Sequence, residues 1–253
     1  MFYNLEKSEN DIVALSTFNA LPKSSREGSP RNSYEATTVE KPWGHEYLQC
    51  ETGNVGLWTL FIGFNHQTSM HCHPEKLTMM LCLSDDFVIS YLGGNLTLHS
   101  GDIVYIQPGV FHRTTSLNTN GGFLLEFETP IDKLDLVRLD DSYGRNDNTY
   151  ESHLQDKSSA NKNPPVQWLT KNNYLSTSDS IIVDSYKIHF IDINTSLDSI
   201  TKLFQKCNFV FFMDNSNSFD HPWELHSGYQ ATQLIGAKRT TFRIALCFER
   251  NKK

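Results

Sequence analysis

The chain has no apolar run near the ~18 to 20 residues that a membrane-spanning helix requires, so no such span is expected. Residues 1–10 read MFYNLEKSEN, without the basic segment and apolar stretch of a secretory leader, and a cytoplasmic location is the expectation. Paired cysteines are missing as well. Cys50, Cys72, Cys82, Cys207 and Cys247 are odd in number and contain no Cys-x-x-Cys, which argues against a disulfide framework or a zinc ribbon. Basic clusters are also absent: 22 Lys and Arg face 29 Asp and Glu, the formal charge is −7, and no nucleic-acid partner is expected. Disorder over the whole chain is excluded by composition, with 38% hydrophobic and 12% aromatic residues.

What is present is mostly strand signal. Residues 1–37, rich in Ser, Asn, Glu and Lys and including LPKSSREGSPRNSYEATT, read as an extended amino-terminal arm. From Thr38 onwards, short runs of β-branched and aromatic residues (LWTLFIGF, LTMMLCL, FVISYL, DIVYIQ, FLLEFE) alternate with Gly, Asn and Asp, the pattern of an all-β sandwich or barrel over residues 38–140. Residues 141–178 are polar and carry Pro164-Pro165, which reads as a linker. Strand-like runs return in residues 179–253, where only SLDSITKLFQK has helical spacing, through Leu197, Ile200, Leu203 and Phe204.

Chemistry concentrates in Met70-His71-Cys72-His73-Pro74-Glu75-Lys76. Residues two apart in a strand share a face, so His71 and His73 form half of a metal site if either points inward. His112 follows a second strand-and-turn signal, Gly101-Asp102-Ile103-Val104-Tyr105-Ile106 and then Gln107-Pro108-Gly109.

Both segments resemble the two motifs of the cupins. The first motif is Gly, five residues, His-x-His, three or four residues, Glu, six residues, Gly; here the positions are held by Asn65, His71, His73, Thr78 and Asp85. Asn and Asp tolerate the left-handed conformation that the two glycines would supply. The second motif, Gly, five residues, Pro-x-Gly, two residues, His, is met by Gly101, Gln107-Pro108-Gly109 and His112, with only its first Pro changed. The resemblance implies a double-stranded β-helix, or jelly roll, in which His71, His73 and His112 bind one divalent ion: Zn, Fe, Mn, Co or Ni. Thr78 stands where the family usually has a Glu ligand, and Glu75 is a nearby alternative that a solvated turn position explains equally well. Lys41-Pro42-Trp43-Gly44-His45-Glu46-Tyr47, the His-x-His-Pro-x-Lys-x-Thr form of the motif, Glu128-Thr129-Pro130 and DKLDLVRLDDSYGR resemble small cupins of surface-polysaccharide and nonulosonic-acid sugar pathways. That likeness implies a sugar ligand, often phosphorylated or nucleotide-linked, and makes Lys76 a candidate site residue.

Leu98-His99-Ser100-Gly101 recurs as Leu225-His226-Ser227-Gly228, and the spacing continues to Gly236 and Arg239 as it does to Gly109 and His112. The expectation is a second, degenerate, metal-free barrel over 179–253, with an α+β appendage as the alternative. His221 and His226 lack a partner motif, and His66, His99 and His189 read as strand or turn residues.

Glu46, Lys76 and Glu126 are the candidate proton-transfer groups, since a low-dielectric interior beside an ion shifts such groups toward catalysis; salt-bridged side chains at the barrel mouth are the plainer reading. Trp43 and Trp58 suit stacking on a sugar face or filling the core. Arg113 suits a carboxylate or phosphate, or an outward surface position. The reading that follows is a metal-dependent sugar isomerase or epimerase; the alternatives are a sugar-binding regulatory module, an Fe(II) dioxygenase with the same ligands, and a structural bicupin. Pairing of barrels into a homodimer is a further expectation.

Overall fold

In this computed structural model the described residues are 1–19, 34, 38–52, 55–145, 180–183, 186–192, 197–213, 223–236 and 244–250. They fall into two compact units, Met1–Leu48 with Gly56–Lys162 and Gln49–Val55 with Asn163–Lys253. Among them, no helix is long and apolar enough to cross a membrane.

The first unit opens with β1 (Phe2–Leu5) and α1 (Glu9–Asn19), followed by β2 (Thr38–Lys41), β3 (Gly44–Thr52), β4 (Val55–Ile62), β5 (Met70–Cys72) and β6 (Leu77–Cys82). Next come β7 (Phe87–Tyr91), β8 (Gly94–Leu98), β9 (Ile103–Ile106), β10 (His112–Ser116), β11 (Gly122–Thr129) and β12 (Val137–Asp140). One sheet runs β1-β9-β6-β11-β4-β3-β2 and the other β12-β5-β10-β7-β8. From β4 to β11 every connection except the β7–β8 hairpin changes sheet, which produces the two interleaved Greek keys of a jelly roll. The five apolar runs read as strands fall in β4, β6, β7, β9 and β11.

Alternation places Trp58, Leu60 and Ile62 of β4, Met80 and Cys82 of β6, and Phe87 and Ile89 of β7 in one core between the sheets. The other face of β4, β6 and β11 is apolar as well, with Leu57, Met79, Leu81 and Phe127 all buried. These strands therefore read as continuous hydrophobic runs, as doubly covered strands do. Asn65 adopts the left-handed conformation (φ 58°), as its place in the first motif anticipates. At the second motif position the left-handed residue is Asp86 (φ 65°), one beyond Asp85, whose carboxylate accepts the backbone N–H of Ser100 at 2.8 Å.

The amino-terminal segment departs from the arm expected of it. Phe2–Leu5 pairs in parallel with β9, and α1 begins at a reciprocal cap: the Ser8 N–H donates to the Asp11 carboxylate at 2.8 Å and the Asp11 N–H to the Ser8 hydroxyl at 3.3 Å. The apolar residues of these segments are spaced too irregularly to stand out against the polar background. Asp11 is buried, and its second oxygen accepts the Phe111 N–H at 2.8 Å, tying α1 to the turn that precedes β10.

The second unit contains β13 (Ser180–Val183), β14 (Tyr186–Asp192), α2 (Leu197–Phe204), β15 (Phe209–Met213), β16 (Trp223–Ser227), α3 (Gly228–Gly236) and β17 (Ile244–Arg250). Its sheet, β13-β14-β17-β15-β16, is antiparallel throughout, and Ile200 and Phe204 of α2 and Ala231 of α3 pack with Val210, Phe212, Ala245 and Cys247 of the sheet. A second jelly roll is not found among the described residues; this is an α+β layer. The expected repeat fails at a definite place. After Leu98-His99-Ser100-Gly101 the chain extends into β9, whereas after Leu225-His226-Ser227 it enters α3. Ser227 and Gln230 cap each other reciprocally there, at 3.0 and 3.3 Å, and Gly228 packs so closely on the end of α2 that a Cβ would lie 2.0 Å from the Phe204 carbonyl oxygen. Arg239 and His221 lie outside the described residues.

Replacing Asp11 by Ala strands the buried Phe111 N–H and removes the cap. A loss of about 1–3 kcal/mol is expected, read as a lower midpoint in thermal denaturation; an unchanged midpoint would show that α1 does not secure this turn.

Candidate metal centre

His71 lies in β5 and His73 just beyond it, while His112 opens β10 directly opposite His71 in the antiparallel register. Directly opposed residues share a face, so the pairing of two strands distant in sequence brings the third ring to the first two. Ring centroids are 4.6 Å apart for His71 and His112, 5.1 Å for His71 and His73, and 5.9 Å for His73 and His112. One ring nitrogen from each lies within 4.8 Å of the others, a spacing that can hold a metal ion.

The rings are oriented by backbone carbonyls. Nδ1 of His71 meets the Ser69 carbonyl at 2.8 Å, Nδ1 of His73 the Asp135 carbonyl at 2.6 Å, and Nδ1 of His112 the Val110 carbonyl at 3.0 Å. Each Nδ1–H donates in these contacts, which leaves the Nε2 lone pair for coordination. Nε2 of His112 is buried and has no hydrogen-bond partner, an arrangement costly unless something occupies it. Burial, with help from His112, keeps the His71 ring well below the ordinary imidazole range. Burial and then Lys76 do the same for His73, and burial pushes His112 down to about 4. All three are thus neutral near pH 7, the form that ligates. The residues fit a divalent cation by donor type, protonation state and one unfilled buried acceptor.

Carboxylates surround this centre without joining it. Glu75 is exposed and outside the cluster. Thr78 is buried, its hydroxyl has no partner, and in register it faces Glu128 of β11. Glu128 is engaged elsewhere: it accepts from Lys76 Nζ at 2.8 Å and Trp58 Nε1 at 2.7 Å, and Lys133 Nζ lies 3.2 Å away. Burial alone would raise its pKa, but Lys133 and Lys76 outweigh this and hold it well below the usual carboxylate range. Glu126 behaves oppositely. Burial is the main cause, Lys133 opposes it, the Glu128 charge adds to it, and the carboxyl is pushed up to about 7. Two residues of one strand, on one face, thereby take opposite protonation behaviour.

The cleft over these groups encloses about 610 Å³, its open mouth included, a size suited to a small molecule. Glu46, Lys76, Glu126, Trp43, His71 and His73 line it, which brings together all three proposed proton-transfer groups. Glu46 is buried, 3.4 Å from Lys41 Nζ. Trp58 is a core residue with Lys133 3.5 Å over its ring. Arg113 does not line the cleft. It follows the inward-facing His112, so alternation turns it outward, where it pairs with Asp140. The sequence reading missed Glu128, Lys133, Arg138 and Arg145; an apolar run interrupted at alternate positions by Glu126 and Glu128 was the one available signal for the first of these. His66 meets Tyr143, His99 lies 4.0 Å from Asp85, and His189 lies 3.3 Å from Glu249 of the second unit, so these three take structural places.

No family model matches the chain, and no curated protein matches it. Among solved structures it is similar to KdgF from Halomonas sp. (12% identity over 38% of this chain and 88% of that one, TM-score 0.36). It is likewise similar to an RmlC-like cupin from Shewanella frigidimarina (16% identity, 42% and 93% covered, TM-score 0.35). A third is the capsular polysaccharide assembling protein CapF from Staphylococcus aureus (16% identity, 44% of this chain, TM-score 0.39), of which the chain spans only 37%. The strand order stands independently of these likenesses: the barrel formed by β3 to β11 is a jelly roll.

Proposed function

We propose that the chain is a metal-dependent enzyme of the isomerase or epimerase type acting on a sugar or sugar derivative, with His71, His73 and His112 holding one divalent cation. The observation that carries this reading is Glu126, a carboxyl pushed up to about 7 on the wall of the cleft that His71 and His73 also line. A group that titrates near working pH can both accept and return a proton. The sugar class follows the resemblance of residues 41–47, 71–78 and 128–130 to sugar-pathway cupins.

A divalent cation at this centre supplies Lewis-acid polarisation of a carbonyl and its neighbouring hydroxyl. Glu126 takes a proton from the carbon beside that carbonyl and, in isomerisation, delivers it to the neighbouring carbon; in epimerisation a second donor returns a proton to the opposite face of the same carbon. Lys76 is a positioning residue: its ammonium, 2.8 Å from Glu128, fixes that carboxylate beside Glu126. Glu46, paired with Lys41, is the second acid–base group of the cleft. Trp43, buried at its wall, offers a flat face to a pyranose ring.

Elemental analysis of the purified protein should find about one transition-metal ion per chain, falling to near zero in His112→Ala with the fold retained by circular dichroism. Metal retained by that variant would refute the three-imidazole centre.

Incubation with candidate aldoses and ketoses in deuterated water should give exchange of a carbon-bound proton, and Glu126→Gln should abolish it while keeping the metal. Exchange should rise along a basic limb at or below about pH 7, because the bound cation favours the ionised carboxylate. Sugar binding without exchange at any pH would instead identify a binding module.

A further inference from the structure

The cleft has two walls of different chemistry. From β3 and β11 come the carboxylates that line it, Glu46, Glu126 and Glu128, with Lys41 against Glu46 and Lys76 and Lys133 against Glu128. The opposite side, β12 and the residues after it, contributes Arg138 and Arg145 and, among the described residues, no lining carboxylate. Arg138 stands opposite His71 in the β12–β5 register, so its side chain leaves the sheet on the imidazole face. A register shift between Arg138 and Asp140 then interrupts the alternation and turns the chain into the segment 141–145.

That segment is built to hold one guanidinium still. The Asp141 side chain has no exposed surface and grips Arg145 three ways: it accepts from Nε at 2.9 Å, from Nη2 at 2.7 Å and from the Arg145 backbone N–H at 2.7 Å. Tyr143 packs on the barrel core, its hydroxyl lies 3.2 Å from His66 Nδ1, and the Gln67 amide donates to the Ser142 hydroxyl at 2.7 Å, so the residues between Asp141 and Arg145 are clasped to the chain before β5. The two side-chain bonds to Asp141 use two of the five N–H donors that a guanidinium carries. Its side chain keeps 19% of its surface exposed, and Arg145 is among the residues that line the cleft. An arginine held by a buried carboxylate behind it, with donors left over in front, is suited to two-point recognition of a planar or tetrahedral oxyanion.

We propose that Arg145, with Arg138 beside it, forms an anion subsite that takes the carboxylate or phosphate group of the substrate and so directs the reacting carbon to the Glu126 wall. The inference rests on the reading of this cleft as a sugar site and deepens it: the substrate is an acidic sugar. The asymmetry is functional. The lysines on the carboxylate wall are engaged by Glu46 and Glu128, whereas Arg145 keeps N–H donors beyond its bonds to Asp141, so a molecule with one acid group is drawn to the guanidinium side and enters in one orientation.

Calorimetric titration of the metal-loaded full chain with glucose, glucuronate and glucose 6-phosphate tests the subsite, and the two acids distinguish a carboxylate from a phosphate ligand. At least one acid should bind about ten- to a hundredfold more tightly than glucose, the worth of one or two charge-assisted bonds. Arg145→Gln should remove that preference while leaving metal content and the affinity for glucose unchanged. Arg145→Lys, which keeps a cation near Asp141, should lose most of the preference as well, and it decides the matter if the Gln variant proves unstable. Equal binding of acid and neutral sugar, no binding of either acid, or an undiminished preference in both variants overturns the subsite. Acid preference lost in Arg145→Gln by a protein that shows no proton exchange upholds the subsite and removes the enzyme reading; exchange with neutral sugars as fast as with acids does the reverse.

Discussion

The cross-strand pairing of His112 with His71 is the constraint on which the site depends. Strand alternation alone aligns His71 with His73, and nothing local says where a ring forty residues later will go. Closing the sheet settles this, because β10 lies between β5 and β7 and its first residue must face the same interior. The turn before β10 is held from outside by Asp11, so the position of the third ring is tied to a helix at the opposite end of the unit's sequence. The barrel and the centre are one construction: a slip of one residue in β10 would turn His112 outward and Arg113 inward.

Around the rings, the interior holds an ionic group that a purely structural barrel would not need. Lys76, Glu128 and Lys133 are buried together, and desolvating each ion costs several kcal/mol even after relaxation, on the order of the stability of a domain when summed. Their mutual attraction and the Trp58 indole donor offset that cost. What the cluster yields is an asymmetry between two carboxylates of one strand. Glu128, facing both ammonium groups, stays charged; Glu126, two residues along, is pushed up to about 7 by burial, with the Glu128 charge adding to it against Lys133. Divergent protonation of neighbouring acids is the usual preparation for proton transfer.

Motif spacing made the first unit legible because a jelly roll repeats the same turn geometry: Asn65 and Gly109 have positive φ where the motifs call for it, and every apolar run became a strand. The same method failed where local chemistry overrode a four-residue identity. Ser227 and Gln230 form a cap that Ser100 and Ile103 cannot, and Gly228 admits a helix against α2, so the second copy of the tetrapeptide leads into α3 and the unit is a sheet layered with helices. Glu46, Lys76 and Glu126 line the cleft, and Lys76 was legible through the His-x-His-Pro-x-Lys-x-Thr form of the motif. Arg138 and Arg145 were not, because they sit in polar sequence where a surface arginine looks identical.

By itself the sequence determined the three imidazoles, the all-β character of residues 38–140 and the inward side of each strand, since these follow from residue type and a period of two. Only the tertiary structure decided which carboxyl has its pKa raised, which lysines are sequestered and which arginines line the cleft. Those properties depend on distances between strands and on exclusion of water, and both are set by how segments far apart in the chain meet.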